Sequence, residues 1–272
     1  MGAGRADSVV GAMTRGARRR RTDGMRSILR YNHRFYSFTL AGTAAAALIA
    51  SQTPPGWRAP LWACVGVALY WVCSSLAVSH YVYDRSPLCQ MRWLADCLSR
   101  PPRRWLSIHA GLDGAGRALY ELFPSAQGSV LDIYDSQEMT EPSIAAARRI
   151  HSAGQEQSTP ADWRALPIAD HAVDAVFLIF AAHELRRQEA RAQFFREVGR
   201  VLRMPSPHED GGELVLVEHL RDWKNFLAFG PGFLHFFSRR SWRRAASAAG
   251  LEVRAERAVT PFVRVFVLGR TA

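Results

Sequence analysis

The residues best suited to chemistry are two acid–histidine pairs that follow apolar runs. His183 and Glu184 come directly after the nearly unbroken apolar run 172–182, and Glu218 and His219 end the next such run. Histidine suits general-base work because its unperturbed pKa lies near neutrality. Each residue alone is more often structural, but two histidines at the ends of adjacent strands favour a base. We predict catalytic roles for His183, His219 and Glu184.

An aromatic segment follows the second pair. Residues 226–237 read FLAFGPGFLHFF, with His235 as their one titratable group. An exposed segment of this kind would suit a membrane or a lipid-like acceptor, whereas packing of a cap helix would explain the same composition. We predict that Phe229 and His235 contact substrate. Zinc-ligand spacings, Ser-His-Asp arrangements and the GxxxxGK[ST] motif are absent from the sequence, so we expect neither hydrolase nor NTPase chemistry, and no metal.

Only a sheet with neighbouring strand ends would bring these pairs together. From residue 105 onward, strand-like and helix-like segments alternate, which predicts an α/β domain with a doubly wound, mostly parallel sheet. The predicted strands are 106–110, 130–134, 172–182, 213–217, 252–258 and 262–268. The predicted helices are 115–122, 142–151, 189–202 and 239–249.

The first strand runs into a glycine-rich turn. Residues 105–116 read WLSIHAGLDGAG, and a helix-like segment follows. Glycine lets backbone amides approach a ligand closely, and a helix start offers unpaired N–H groups. The stretch is therefore typical of a nucleotide cradle, although a plain strand-to-helix connection has the same pattern.

Charge and hydropathy divide the chain before residue 105. Residues 1–34 contain nine arginines and two aspartates, which account for +7 of the formal net charge of +11, and predict a flexible basic arm. Most of the excess charge lies in this arm, so a nucleic-acid-binding core is not indicated. Residues 35–83 hold two apolar segments around a Pro/Gly turn, residues 84–104 form an amphipathic linker, and residues 105–272 form the globular domain.

The two apolar segments predict a transmembrane helical hairpin. The second is long enough to span a bilayer and the first is at the short limit. Arginines precede the first segment and follow the second, whereas the turn holds only Arg58, so both ends should be cytoplasmic. A buried or interfacial hairpin is the alternative. Residues 86–98 predict a helix that lies at the lipid headgroups or packs on the domain. Four dispersed cysteines favour a reducing compartment.

Several motifs in order resemble the class I S-adenosylmethionine-dependent methyltransferases. Residues 162–177, DWRALPIADHAVDAVF, are similar to the family's GDAxxLPFxDxxFDxV segment. AAHEL, FREVGRVLR and GGELVLVE follow at residues 181–185, 195–203 and 211–218. The resemblance covers residue 105 to the end and implies a Rossmann-like, doubly wound, seven-stranded sheet whose last strand is antiparallel. With the hairpin in front, the chain resembles a membrane-anchored bacterial-type member.

The resemblance also implies where S-adenosylmethionine binds. Asp132 takes the place of the acid that accepts hydrogen bonds from both ribose hydroxyls, and Asp135 is its rival because SQEM follows it. Asp162 matches the residue that recognises the adenine amino group, and Trp163 is placed against the base. The glycine loop keeps only its middle glycine. The other implied cofactor contacts are His109, Gly111, Asp113, Ile133 and Ala181.

We therefore expect methyl transfer from S-adenosylmethionine to an apolar, membrane-associated acceptor such as a quinone-like, polyketide or lipid intermediate. A catalytically silent scaffold is one alternative, favoured by the altered glycine loop. An RNA methyltransferase is the other, favoured by the arginine arm, although we do not expect a nucleic-acid partner. The expected partners are the small-molecule acceptor and a lipid membrane. The expected location is the bacterial inner membrane, with the catalytic domain on the cytoplasmic side.

Overall fold

The computed structural model describes residues 22–111, 115–151, 158–207 and 210–270. Most of the predicted arm, residues 1–21, lies outside this part of the chain, as does Asp113. The described helices are α1 (Asp23–Tyr31), α2 (His33–Gln52), α3 (Pro55–His80), α4 (Gly116–Leu122), α5 (Pro142–His151), α6 (Gln188–Val201), α7 (Trp223–Phe229) and α8 (Arg239–Ser247). The described strands are β1 (Arg104–His109), β2 (Gln127–Asp132), β3 (Thr159–Pro160), β4 (Ala175–Ile179), β5 (Glu213–His219), β6 (Leu251–Thr260) and β7 (Val263–Arg270).

The seven strands form one sheet in the order β3-β2-β1-β4-β5-β7-β6. The strands from β3 to β5 are parallel, and β7 lies antiparallel between β5 and β6. This arrangement confirms the predicted seven-stranded, doubly wound α/β fold. The strand order reverses between β1 and β4, and ligands of open α/β sheets bind beyond the carboxyl ends of the strands at such a reversal.

Burial on both faces explains why β4 reads as an unbroken apolar run. Ala175 and Phe177 pack into the core cluster on one face of the sheet, and Val176 and Leu178 into the cluster on the other. Side chains of a strand alternate between faces, so a strand covered on both sides has no polar positions. β4 and β5 are paired up to Ile179 and Val217, which places the residues that follow them side by side.

The N-terminal helices α2 and α3 form a hairpin. They pack together, and the Tyr36 and Ser75 hydroxyls share a buried hydrogen bond of 3.1 Å. Within the described residues, one stretch, Pro55–Gln90, is long and apolar enough to cross a membrane, and an 18-residue window of it has a mean hydropathy of 1.9; α2 does not meet that standard. The exposed large apolar side chains of the hairpin are Phe35, Phe38, Leu40, Leu48, Ile49, Trp57, Trp62, Val67, Leu69 and Tyr70.

Part of the predicted basic arm is a helix. Residues 23–31 form α1, and Asp84 accepts hydrogen bonds from the backbone N–H groups of Gly24 (2.7 Å) and Met25 (3.0 Å) at its start. A carboxylate at this position satisfies amides that have no partner inside the helix and interacts favourably with its dipole. The prediction of a flexible arm is therefore wrong for these residues, because the stabilising carboxylate lies 60 residues away in the sequence.

The linker is irregular where the sequence predicts one amphipathic helix. A π-helical turn (Tyr81–Arg85) and two 3₁₀ turns (Pro87–Gln90 and Arg92–Cys97) replace it. Met91, with φ of 54°, separates the 3₁₀ turns. The leucines of the linker, among them the buried Leu94, pack in the core cluster of the domain. The predicted apolar face exists, but it covers the domain and does not lie on a membrane surface.

The aromatic segment after β5 forms a cap over the carboxyl ends of β4 and β5. We define the cap as α7 and the 3₁₀ turn Gly230–His235. Asp222 begins it by accepting a hydrogen bond from the Asn225 N–H at 2.9 Å. The cap packs against α3, where the rings of Trp71 and Phe226 meet edge to face with centroids 5.4 Å apart. The hairpin and the domain that contains the sheet are therefore joined through this cap.

Replacing Gly230 by alanine should loosen this joint. Gly230 has φ of 54° and ψ of −139°, and a Cβ there would lie 2.6 Å from Trp71 Cδ2. Backbone strain of this kind costs about 1–3 kcal/mol, and the overlap adds to it. Denaturant unfolding in detergent should show this loss of stability. Gly232→Ala is the matched control, since its nearest contact is 3.9 Å away; equal stability of the two variants would contradict the assignment.

Candidate functional site

The carboxyl ends of β4 and β5 place His183 against Glu218. The Phe180 N–H donates to the Val217 carbonyl at 3.0 Å, so the chain after β4 follows β5 for one more residue. His183 Nδ1 then lies 2.9 Å from Glu218 Oε2, and the His183 backbone N–H donates to Glu218 Oε1 at 3.3 Å. Glu218 therefore fixes both the ring and the backbone of His183.

Two carboxylates control the charge of His183. Burial disfavours the imidazolium, but Glu218 and, 3.4 Å from Nε2, Glu184 outweigh it and raise the pKa of His183 to about 10. Burial also raises the pKa of Glu184, but the neighbouring His183 reverses this, so that pKa is lowered overall. His183 is therefore protonated at neutral pH in this arrangement, and its neutral form is a strong base.

His219 is held by neighbours at both ring nitrogens. Nδ1 lies 3.0 Å from the Phe262 carbonyl oxygen, and Nε2 lies 2.9 Å from the Tyr83 hydroxyl. The carbonyl can only accept, so Nδ1 carries the proton and Nε2 accepts from Tyr83. Burial lowers the pKa of His219 to about 4, so the ring is neutral. Neither ring nitrogen of His219 is available to a methyl acceptor. We therefore correct its predicted role from general base to a structural residue.

Aromatic rings surround His219. Its ring stacks between Phe180 and Phe236, with centroids 5.2 and 4.8 Å away, and Phe229 meets its edge at 5.6 Å. Phe180 adopts φ of 52° to reach this position. Strained backbone of this kind persists only where its surroundings hold it, and it concentrates at functional sites. The predicted substrate contact Phe229 thus belongs to an apolar wall around His219, the residue that follows Glu218 in β5.

His235, the other predicted substrate contact, lies beside His183. The two rings meet edge to face with centroids 5.1 Å apart. Arg186 Nη1 donates to the carbonyls of His183 (3.2 Å) and His235 (2.7 Å), which ties the cap to the loop after β4. Burial and, second, the charge of His183 lower the pKa of His235 to about 3, so His235 is neutral.

A buried arginine holds the same loop from below. Arg191 Nη1 donates to the carbonyls of Leu185 and Arg186, each at 2.7 Å, and its guanidinium lies 3.7 Å from the centroid of the Phe237 ring. Burial lowers the pKa of Arg191 to about 10. The loop carrying His183 and Glu184 is therefore fixed by backbone contacts rather than left to its own short-range preferences.

The cluster could also bind a cation. One ligand atom each from His183, Glu184 and His235 lies within 4.8 Å of the others, a spacing that a divalent metal can bridge. A metal would have to displace the proton of His183, because only a neutral imidazole can coordinate. The carboxylates already satisfy the imidazolium, so we describe the cluster as an ion-pair network.

Asp132 lies where the sequence places the ribose-binding acid. It ends β2 and is buried; Oδ1 accepts from the Tyr134 N–H at 3.1 Å, and Oδ2 accepts from Arg148 Nη1 at 2.7 Å. His109 Nδ1 lies 3.9 Å from Oδ1. At Gly111, with φ of 144°, a Cβ would lie 2.9 Å from Arg148 Cγ. The carboxylate and the bare glycine fit a ribose, provided that the Arg148 side chain moves aside.

Of the two residues predicted to bind adenine, Asp162 is exposed in a turn and Trp163 is buried. The Ala161 N–H donates to the Asp132 carbonyl at 2.9 Å, so Asp162 lies just beyond Asp132. Its side chain is 56% exposed and caps a turn through the Arg164 N–H at 2.8 Å. Trp163 is buried, with the Arg164 guanidinium 4.0 Å from its ring centroid. The predicted stacking of Trp163 on adenine is therefore wrong for this conformation, because the ring belongs to the core.

The remaining predicted contacts are buried or unplaced. Ile133 and Ala181 are buried at the carboxyl ends of β2 and β4. Asp135, the rival ribose acid, accepts hydrogen bonds from Gln137 N–H and Arg164 Nη1, each at 2.9 Å, and Arg164 is the main cause of its lowered pKa. Asp135 is thus engaged in a turn and an ion pair at the surface, which favours Asp132. Asp113 lies outside the described residues.

Two substitutions should separate the cofactor contacts. Asp132→Asn removes a buried charge that we expect to hold two hydroxyls, and it should weaken S-adenosylmethionine binding by about 5- to 150-fold, or about 1–3 kcal/mol. Asp162→Ala removes one exposed acceptor and should cost less. Calorimetric titration of both variants measures the order, and a larger loss for Asp162→Ala would reverse our assignment.

Comparison with known proteins agrees with the observed fold. Residues 112–205 match the family model described as a methyltransferase domain. A search of curated proteins finds no match. Among solved structures, the chain is similar to the pyocyanin biosynthetic protein PhzM (TM-score 0.53, 15% identity, covering 92% of this chain and 74% of that one). It is also similar to the mitomycin 7-O-methyltransferase MmcR (TM-score 0.53, 11% identity, covering 93% and 74%).

The family match covers residues 112–205, and the sheet has the class I methyltransferase architecture that the sequence predicts. At these identities the structural likeness concerns the fold. The acceptor, its access to the site and the membrane attachment therefore have to be argued from this chain's own residues.

Proposed function

We propose that the protein transfers the methyl group of S-adenosylmethionine to a hydroxyl oxygen of an apolar, membrane-associated acceptor, such as a quinone-like, polyketide or lipid intermediate. The observation that carries the proposal is the His183–Glu218 pair, 2.9 Å apart, with His235 of the cap 5.1 Å from the His183 ring. A buried base beside an apolar wall suits the deprotonation of a weakly acidic hydroxyl on a hydrophobic molecule. MmcR, whose fold is similar, is described as a 7-O-methyltransferase.

The side chains divide the work as follows. S-adenosylmethionine, when bound, supplies a methyl group on a sulfonium. Asp132 binds the ribose and Asp162 the adenine, which orients that methyl group. Neutral His183 takes the hydroxyl proton, while Glu218 holds the ring and stabilises the imidazolium. Glu184 accepts from the second ring nitrogen once the ring is protonated, and Phe229 excludes water.

We further propose that the hairpin attaches the protein to the bacterial inner membrane, with the catalytic domain on the cytoplasmic side. The apolar stretch Pro55–Gln90 and the exposed apolar side chains of α2 and α3 support attachment. The exposed arginines Arg26 and Arg30 before the hairpin, Arg34 in its first turn and Arg85 after it support the orientation, because basic residues stay on the cytoplasmic side.

A scaffold that has lost cofactor binding is the second candidate. One observation favours it: the Arg148 guanidinium forms an ion pair with the Asp132 carboxylate, which we expect to bind the ribose. Calorimetric titration of S-adenosylmethionine into the detergent-solubilised, folded protein decides between the two, since the scaffold would not bind at millimolar cofactor.

The acceptor is identified by mass spectrometry. Lipid extracts of cells with and without the protein should differ by a compound heavier by one methyl group. The extract from cells without the protein is then incubated with the protein and isotope-labelled S-adenosylmethionine, and the label should appear in the same compound. A chelator should not prevent this transfer, because we expect no metal. Cofactor binding without any labelled product in these extracts would contradict the proposed acceptor class.

A further inference from the structure

The cap has an outer face that is apolar and open. Trp223 is 67% exposed, Leu227 is 45% exposed and Leu234 is 56% exposed. Trp223 and Leu227 are one helical turn apart on α7, so they lie on the same side. Soluble domains seldom leave three large apolar side chains of one short segment open to water.

This outer face continues the apolar surface of the hairpin. Leu227 lies against α3, since its carbonyl oxygen is 3.5 Å from the Ser74 hydroxyl. Trp71, one helical turn before Ser74 on α3, packs on Phe226 and lies over Gly230. From Trp71 back to the start of α3, about 24 Å of helix extends beyond the cap, which is most of the thickness of a hydrocarbon core of about 30 Å.

The inner face of the same cap leads to the base. Phe229 contacts Phe236 with ring centroids 5.6 Å apart, and Phe236 stacks on His219 at 4.8 Å. The cap ends at His235, whose ring is 5.1 Å from that of His183. One short segment thus joins the apolar outer surface to the site of proton transfer.

We infer that the cap lies in the bilayer interface and that the acceptor enters the site from the lipid past the outer face of the cap. This inference rests on the proposed function and names the route by which its acceptor arrives. The occupant of the outer face is a bilayer with anionic headgroups. Charge supports this choice: α1 packs against α3 and the turn Tyr81–Arg85, which places exposed arginines at the domain-proximal end of the hairpin.

Depth-dependent quenching tests the position of the cap. The full chain is reconstituted into phosphatidylcholine–phosphatidylglycerol vesicles whose acyl chains are brominated. The fluorescence of Trp223, taken as the difference between wild type and Trp223→Phe, should be quenched, as should that of Trp62 on α3. Quenched Trp62 with unquenched Trp223 would overturn the inference and indicate that another protein or water covers the cap. Trp62 without quenching would overturn it as well, because the hairpin would not be inserted.

Kinetics test the route. With the lipid extract from cells lacking the protein as acceptor source in vesicles, Leu227→Gln and Leu234→Gln should each raise KM for the acceptor about tenfold. Both should leave kcat and S-adenosylmethionine affinity unchanged, because neither residue touches the base or the cofactor. Met204→Gln is the matched control, an exposed apolar side chain on the loop between α6 and β5. Unchanged KM in both cap variants would refute lipid entry, whereas absent cofactor binding in wild type would refute the proposed function itself.

Discussion

Replacing His183 by glutamine is expected to lower kcat by about 100- to 10,000-fold, the usual contribution of a positioned general base. Glutamine keeps a polar side chain of similar length but cannot take up a proton at ordinary pH. S-adenosylmethionine affinity should stay the same, because the cofactor contacts are assigned to Asp132 and Asp162. Transfer of labelled methyl groups measures kcat, and calorimetry measures the affinity. A variant with normal kcat would remove His183 from the mechanism.

The change at His183 also leaves Glu218 as a buried charge without its partner, and losing one member of a buried ion pair can cost about 3–5 kcal/mol of stability. The double variant His183→Gln, Glu218→Gln avoids this because two amides can pair with each other. It should fold and remain inactive. His235→Gln and the exposed His33→Gln are the comparison variants. If His235→Gln lost as much activity as His183→Gln, the choice of base between these neighbours would be open again.

The sequence predicts the catalytic domain well because its signals are local. The apolar run before His183 identifies β4 without any partner, since a strand covered on both faces needs no polar side chain. The helix 142–151 appears with the predicted bounds. The prediction for the linker fails for the opposite reason. Leu88, Met91 and Leu94 repeat at helical spacing, but the surface that buries them belongs to the domain, and irregular turns bring them to it.

The site is predicted only in part because its decisive contacts join distant residues. Motif order places Asp132 correctly at the end of β2, and two strand ends place His183 near Glu218. Local sequence does not reveal that Tyr83, 136 residues before His219, occupies its second nitrogen. It also does not reveal that Arg148 reaches Asp132, although an arginine facing a strand-end acid across one helix is a signal that could be sought.

Glu218→Gln is expected to change the pH dependence of kcat/KM. His183 acts as a base only when neutral, and its pKa is raised to about 10, so wild-type kcat/KM should rise about tenfold per pH unit from pH 6 to 9. Removing the Glu218 charge leaves only Glu184 to oppose burial, so the pKa of His183 falls and the rise should level off within this range. The plateau should be lower than the wild-type rate at high pH, since a weaker base removes the proton more slowly.

The raised pKa of His183 also affects stability, which should fall with rising pH while activity rises. A histidine whose pKa is raised from about 6.5 in the unfolded chain stabilises the fold fully below that pH and loses the contribution as pH approaches 10. The melting temperatures of wild type and Glu218→Gln should therefore differ most near pH 6 and converge at alkaline pH.

Glu213→Gln is the matched control. Glu213 is a buried glutamate at the opposite end of β5 that accepts hydrogen bonds from Ser99. This variant should leave the shape of the activity profile unchanged. A Glu218→Gln profile parallel to wild type at every pH would show that Glu218 supports the fold without tuning His183.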